Sequence, residues 1–338
     1  MKNKYQLFSI LLIMLAFTGC TLISCRKSET PDKTSFYTNV IDKLPINILI
    51  NGDSIGDGLY TSALSSVIES EFGSKVQIDN ISLPGNTSFA GFCQNNINYQ
   101  PEKSYDLIFL CYGQNDLDSD NFSFDYENLL RSTIIKYPDA QILPILESSQ
   151  KTYSNKIKKI MELCEYYNIA YVDTIHSFNA SGFPYQQLTL DGIHPNTLGY
   201  KIYCQEIVNV LHTCLSEKQN GKAKLKNPIN PSCNNFTNTI YVSKNDMVIT
   251  DGVYSYHTDQ TINAIGIDRT LSPGQHNLNL QVNDSYYDLS YSWNYDFEQR
   301  HIEQITLNTS NGTSIQIASP DDTADGYFNG IILVSDSE

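Results

Sequence analysis

Basic residues are scarce in this sequence: 22 Lys and Arg stand against 37 Asp and Glu, for a formal net charge of −15. Binding to nucleic-acid phosphates needs clustered Lys and Arg, so this balance argues against a nucleic-acid partner. Long apolar runs are scarce too. The run from Leu7 to Phe17 is too short to span a bilayer. The eight cysteines form no C-x-x-C pair, which argues against a structural zinc site. His176, His212, His257, His276 and His301 have no partners at metal-ligand spacing. Asp116, Asp118 and Asp120 form an acidic cluster without further calcium-ligand spacing, which reads as a solvated loop. No metal or cofactor is expected. There is no internal repeat and no low-complexity tract.

What is present suits a folded protein. The 338 residues are 41% hydrophobic and 17% charged, enough for a sizeable core and more than one average domain. The N-terminus reads as a targeting segment: Lys2 and Lys4 precede the short apolar run, and Cys20 and Cys25 follow it. Both cysteines sit in contexts that resemble the bacterial lipobox, and Cys25 fits its first position better. The expectation is a lipoprotein signal peptide over 1–25 and a polar tether over 26–43, placing the protein on the cell envelope through a lipid anchor. A plain secretory signal is the alternative. The remaining cysteines, Cys93, Cys111, Cys164, Cys204, Cys214 and Cys233, are assigned to no disulfide; half lie in apolar contexts that suit buried thiols.

From residue 44 to 217 strand and helix patterns alternate. Ile46–Ile50, Lys75–Ser82, Asp106–Tyr112, Ala140–Leu146 and Ile169–Val172 read as strands. Helical spacing runs from Leu59 to Phe72 behind Asp57 as a cap, near 125–136 and 152–167, and over 197–216. The pattern predicts a three-layer α/β/α domain with a parallel sheet, whose ligands bind beyond the carboxyl ends of the strands. Residues 218–230 read as a linker. Over 231–338 the helical period vanishes: His276–Val282 alternates, Asn311-Gly312 signals a hairpin between Ile302–Leu307 and Ser314–Ile317, and Gly330–Val334 reads as a last strand. A β-sandwich-like domain is expected there. Tyr286, Tyr287, Tyr291, Trp293 and Tyr295 are either a sugar-stacking platform or ordinary strand packing.

The chemistry concentrates in loops at strand ends. Asn51-Gly-Asp-Ser-Ile-Gly-Asp-Gly-Leu59 follows the first strand and contains both G-x-S-x-G and G-D-S-I. Ser54 there stands where a sharp turn can expose a nucleophilic hydroxyl. Asp191-Gly-Ile-His194 lies just before the last helix, and an aspartate three residues from a histidine on one loop can orient its ring. In α/β-hydrolases the elbow comes after several strands, whereas Ser54 follows the first.

Together these blocks resemble the GDSL, or SGNH, hydrolase family. Gly52-Asp-Ser-Ile55 matches its first block, Gly85 in Leu83-Pro-Gly-Asn-Thr-Ser88 its second, Asn115 in Tyr112-Gly-Gln-Asn-Asp116 its third, and Asp191-Gly-Ile-His194 its last. The resemblance implies a flavodoxin-like sheet with Ser54 as nucleophile, His194 as base and Asp191 as its orienting acid. The backbone N–H groups of Ser54 and Gly85, with the Asn115 side chain, would hold the oxyanion. It implies an exported esterase acting on acylated carbohydrate, most often by deacetylation. The alternatives are a lipase or thioesterase for longer acyl chains, and a surface glycan-binding protein with an inactive hydrolase domain.

Overall fold

In the computed structural model the described residues are 45–216, 223–307, 312–318 and 327–336. The signal segment, Cys20, Cys25, the tether and Asn311 lie outside them.

The short apolar runs of the first half become a five-stranded parallel sheet: β1 (Ile46–Gly52), β2 (Val76–Asn80), β3 (Leu107–Cys111), β4 (Gln141–Leu146) and β5 (Val172–Asp173). Their order, β2-β1-β3-β4-β5, is the flavodoxin-like one, with its switch point between β1 and β3. Every residue of β3 and β4 is buried, as unbroken apolar runs require. Helices α1 (Ser54–Thr61), α2 (Leu64–Phe72) and α7 (Thr197–Ser216) cover one face through Ile55, Leu59, Ile68, Ile207 and Leu211. Helices α3 (Ser88–Ile97), α4 (Asp120–Lys136) and α5 (Asn155–Tyr167) cover the other through Phe89, Leu129 and Ile160, and a short α6 (Thr174–Ala180) follows β5. The α/β/α layering expected from the sequence is present.

Local differences have local causes. The helix expected from Leu59 to Phe72 is two helices, because the Ser62 hydroxyl donates to the Leu59 carbonyl at 2.6 Å and ends α1. Its cap is Asp53, whose carboxylate accepts from the Ile55 N–H, and not Asp57. Helix α3 gave no amphipathic signal because its residues Ser88 to Asn95 are all buried. The strand expected over Ile169–Val172 shrinks to Val172–Asp173.

The second half is antiparallel and β-rich. Strands β6 (Asn238–Ser243), β7 (Val248–Thr250), β8 (Val253–Thr258), β9 (Ala264–Leu271), β10 (Gly274–His276), β11 (Asn279–Val282), β12 (Ser285–Asp288), β13 (Tyr291–Trp293), β14 (Gln299–Thr306), β15 (Thr313–Ala318) and β16 (Phe328–Ser335) complete the fold. They form a five-stranded sheet, β12-β11-β15-β8-β7, a four-stranded sheet, β14-β9-β16-β6, and a small β10-β13 pair. Ile265, Ile267, Leu280, Ile315, Ile317 and Leu333 meet between the larger sheets as a sandwich core. The strands flanking Asn311-Gly312 are not a hairpin: β14 pairs with β9, while β15 pairs with β8 and β11. Their burial patterns differ accordingly. β15 alternates buried and exposed, as a strand with one wet face must, whereas the apolar residues of β14 serve two cores. The run His276–Val282 likewise divides between two sheets.

The four-stranded sheet is buried on both faces. Its Ile267, Ile331 and Leu333 point into the sandwich, while Ala264, Ile302, Ile332 and Val334 pack with Phe89, Phe92 and Cys93 of α3. Residues 223–230 are strapped to the α/β layer. Arg131 donates to the Lys226 carbonyl at 2.6 Å, and the carboxylate of buried Glu127 accepts from the N–H groups of Ile229 and Asn230 and from the Tyr167 hydroxyl. Cys93, Cys111, Cys164, Cys204 and Cys233 are buried free thiols.

Because the two halves share a core, urea unfolding should be one transition. Fluorescence of Trp293, buried in the β-rich half, and the helical circular dichroism of the α/β half should fall together. Glu127→Ala leaves two N–H groups and a hydroxyl without their partner, and should lower that common midpoint by about 3 kcal/mol of stability.

Candidate active site

The site forms at the switch point, where β1 ends. A Cβ on residue 52 would stand 2.8 Å from the Cβ of Cys111, so only glycine lets β1 run this close to β3. The chain then turns through Asp53, and Ser54 opens α1.

The Ser54 Oγ lies 2.8 Å from the His194 Nε2, and the His194 Nδ1 lies 2.7 Å from the Asp191 Oδ2. The other Asp191 oxygen accepts the N–H groups of Ile193 and His194 at 3.0 and 2.8 Å, so one carboxylate shapes the loop and faces the ring. The loop is closed by the Leu190 N–H donating to the His194 carbonyl at 2.8 Å. Slight burial pushes the Asp191 pKa up, but the His194 N–H, the imidazole and the Ile193 N–H outweigh it and hold it at about 2. With Nδ1–H donated to Asp191, Nε2 is free to accept from the Ser54 hydroxyl.

The loop after β2 comes alongside. Its Leu83 N–H donates to the Gly52 carbonyl at 2.8 Å, and Gly85 takes a φ of +71°, which glycine adopts at no steric cost. Asn115, in the loop after β3, donates from Nδ2 to the Asp53 Oδ2 and to the Asn86 carbonyl, each at 3.0 Å. The structure thus brings Ser54, Gly85, Asn115, Asp191 and His194 to one end of the sheet.

Four further groups build the floor: Asp53, Glu147 and Lys156, to which the sequence assigns no role, and Asp116, which reads there as a solvated loop residue. Asp53 is wholly buried beside Ser54; burial, with Asp116 nearby, raises its pKa to about 7 despite its hydrogen bonds. Glu147, just beyond β4, is also buried and accepts from the Gln114 N–H at 2.8 Å; burial and the Asp53 charge push its pKa far up. Asp116 is no solvated loop residue. It is 8% exposed and accepts both the N–H and the hydroxyl of Ser88, which docks the start of α3. The buried ammonium of Lys156 donates to the carbonyls of Gly113 and Asp116 at 2.5 and 2.6 Å, pinning the loop that presents Asn115. Among the described residues no group of three or more His, Cys, Asp or Glu is placed to hold a metal.

The β-rich half reaches this site. The Asn86 side chain donates to the Arg300 carbonyl at 3.0 Å and accepts the Ile302 N–H at 2.9 Å. The Gln299 amide donates to the Pro84 carbonyl and lies over Gly85. Gln299 follows by two residues an aromatic group in which Trp293 is buried, with its indole N–H on the Phe297 carbonyl at 2.6 Å. Tyr291, Tyr295 and Phe297 stand exposed around it. Tyr286 and Tyr287 belong to β12 at the edge of the other sheet, so the five aromatics considered together in the sequence are two separate features.

Residues 50–202 match the GDSL-like Lipase/Acylhydrolase family. Among solved structures the chain is similar to a two-domain esterase active on acetylated mannans, co-crystallised with mannopentaose. The TM-score is 0.69 at 15% identity, covering 89% of this chain and 94% of that one. A second structure of a two-domain esterase active on acetylated mannans gives a TM-score of 0.67 at 15% identity over the same shares. No curated protein matches the chain. The chain carries a GDSL-like hydrolase domain and is an ester-hydrolysing enzyme; the two-domain fold likeness extends over the antiparallel half.

Asp191 stays ionised well below neutrality. Its depressed pKa contributes stability that is present above the ordinary carboxylate value and is lost only as pH falls through about 2. The acid limb of a pH–rate profile therefore should not move in Asp191→Asn through loss of a titrating acid. Instead kcat should fall across the whole range, by up to roughly 10⁴-fold, because the amide no longer enforces the imidazole tautomer. Profiles of kcat against pH for both proteins check this.

Proposed function

We propose that the protein is an exported, lipid-anchored serine esterase that removes acetyl groups from carbohydrates through Ser54, His194 and Asp191. The observation that carries the reading is the continuous relay from the Ser54 hydroxyl through His194 to Asp191, at 2.8 and 2.7 Å. In the first step His194 takes the Ser54 proton while Oγ adds to the ester carbonyl. The oxyanion is held by the backbone N–H groups of Ser54 and Gly85 and by the Asn115 amide. The Asn115 N–H on the Asn86 carbonyl is the one the substrate oxygen shares, while the other stays on Asp53, so the amide does not have to turn. Collapse of the intermediate breaks the ester C–O bond, and the imidazolium gives its proton to the leaving sugar oxygen, which departs as a hydroxyl. Water, activated by the same histidine, then releases acetate and restores Ser54.

Two things support a sugar as the alcohol. Exposed Tyr295 and Phe297 lie four and two residues before Gln299, at most about 14 and 7 Å of chain, and Gln299 touches the oxyanion loop. Faces of this kind stack on pyranose rings, which have apolar faces and polar rims. The neighbours with the same two-domain fold act on acetylated mannans. Export and lipidation at Cys25, or at Cys20, rest on the N-terminal sequence. Among the described residues no helix is long and apolar enough to cross a membrane.

Nitrophenyl esters of increasing chain length separate the readings. Fast turnover of the acetate ester, falling with chain length, is expected; a long-chain preference makes the protein a lipase or thioesterase. No turnover with retained glycan binding leaves a binding protein. His194→Ala should nearly abolish hydrolysis, and Asn115→Ala should cost roughly 3–4 kcal/mol of barrier; near-normal rates in His194→Ala would overturn the mechanism.

Tyr295→Ala combined with Phe297→Ala should raise KM for an acetylated oligosaccharide by roughly tenfold, the worth of one stacking face or slightly more. The change in kcat/KM for nitrophenyl acetate should be much smaller. An equal loss on both substrates would place these rings outside the sugar site.

A further inference from the structure

Glu147 occupies an unusual position beneath the oxyanion loop. None of it is exposed, and its Oε2 accepts from the Gln114 N–H at 2.8 Å, yet its Oε1 is buried with no donor in reach. A buried carboxylate oxygen without a partner is costly. The group beside it is a second carboxyl, Asp53, also without exposure, and the two are hydrogen-bonding neighbours. Both Asp53 oxygens are already acceptors, Oδ1 from the Ile55 N–H at 2.8 Å and Oδ2 from the Asn115 amide at 3.0 Å.

Two ionised carboxylates in this space would repel each other without relief, because the nearby Lys156 ammonium is spent on the Gly113 and Asp116 carbonyls. One proton removes the conflict. Placed on Glu147, it turns one of two repelling acceptors into a donor for its neighbour Asp53. We propose that Glu147 is a positioning residue: protonated, it donates to Asp53 and so fixes the acceptor that keeps the Asn115 amide turned toward the oxyanion. The proposal rests on the reading of Asn115 as an oxyanion donor.

The surroundings agree. The titratable and charged groups facing the pair are Asp116 in the loop after β3, Cys111 and Tyr112 at the end of β3, Tyr126 on α4, Lys156 on α5, and Tyr200 and Tyr203 on α7. Burial pushes the Cys111 thiol and the four tyrosine hydroxyls up, so they remain neutral and add no negative charge. Burial likewise pushes Glu147 well above the carboxylate range, and Asp53 up to about 7.

Glu147→Gln is the deciding variant. Its amide oxygen can take the Gln114 N–H and its NH₂ can donate to Asp53, which reproduces the protonated acid atom for atom. E147Q should keep kcat and KM for nitrophenyl acetate with an unchanged pH profile. Glu147→Leu, of similar size but without a donor, should lose up to roughly 10²-fold in kcat with KM little altered. Infrared spectroscopy of the substrate-free protein at neutral pH gives a second reading. The wild type should show the carbonyl stretch of a protonated carboxyl that is missing from E147Q, the difference separating Glu147 from other buried acids such as Asp116 and Asp125. A collapse of kcat in E147Q overturns the proposal, and so does an infrared difference showing no protonated carboxyl at Glu147. If E147L does not fold, E147Q and the infrared difference still decide. The infrared reading needs no substrate, so it stands or falls apart from the esterase reading.

Discussion

The active site hangs on a buried carboxylate. Asp53 is the residue before Ser54, and its two oxygens serve different elements: one starts α1 by accepting the Ile55 N–H, the other holds the Asn115 amide. The first contact sets the direction in which Ser54 leaves β1. The second ties the loop after β3 to the end of β1. Removing solvent from this carboxylate strengthens both contacts and makes its charge expensive, which is why a second acid and a proton become part of the same arrangement. The floor of the oxyanion site is thus an electrostatic problem solved locally, with Lys156 and Asp116 holding the loop from behind.

The β-rich half is bound into this arrangement. Its four-stranded sheet buries one face in the sandwich and the other against α3, the helix that begins right after the Gly85 loop and is anchored by Asp116. Asn86 extends the connection, since its backbone carbonyl meets Asn115 and its side chain meets Arg300 and Ile302. A change in β14 therefore bears on the Gly85 loop through three hydrogen bonds and a shared core. The aromatic group before β14 is held over the same loop by Gln299. A substrate platform on a flexible tether would have to be ordered on binding, at an entropic cost; here it is ordered in advance.

Much of this was legible in the residues. The parallel sheet was, because β3 and β4 are buried on both sides and read as unbroken apolar runs. The placement of Ser54, Gly85 and Asn115 after strands could be read from glycine-marked loops that follow apolar runs, and that of Asp191 and His194 from one loop just before the last helix. Helix α3 was not, since a helix surrounded by sheet on one side and sandwich on the other has no polar face to set a period. The false hairpin at Asn311-Gly312 had good turn chemistry but strands committed to different sheets, a fact of long-range pairing that no local signal carries. Asp116 read as solvated because two more acids follow it within four residues; its burial depends on Ser88, 28 residues earlier. Glu147 carries no motif at all, and only the sheet order brings the end of β4 under the loop that follows β3.

The two halves of the catalytic constellation are built by opposite means. Asp191 and His194 lie on a surface loop with side chains 52% and 38% exposed, held by hydrogen bonds that one carboxylate makes with its own loop. Asn115 belongs to the other half, above Asp53 and Glu147, two acids that are fully enclosed. The division follows from what each half must do. In the proposed mechanism the histidine gains and loses a proton in every cycle, and a neighbour that stays ionised in contact with water tolerates that change with little penalty. The oxyanion donors must not reorganise as charge develops, so they are fixed from below by groups that water cannot reach. A negative charge placed under an oxyanion works against catalysis in proportion to its strength. A proton bridging Asp53 and Glu147 spreads that charge away from Asn115 while leaving the orientation intact, which gives the fold a reason to bury two acids together rather than one alone.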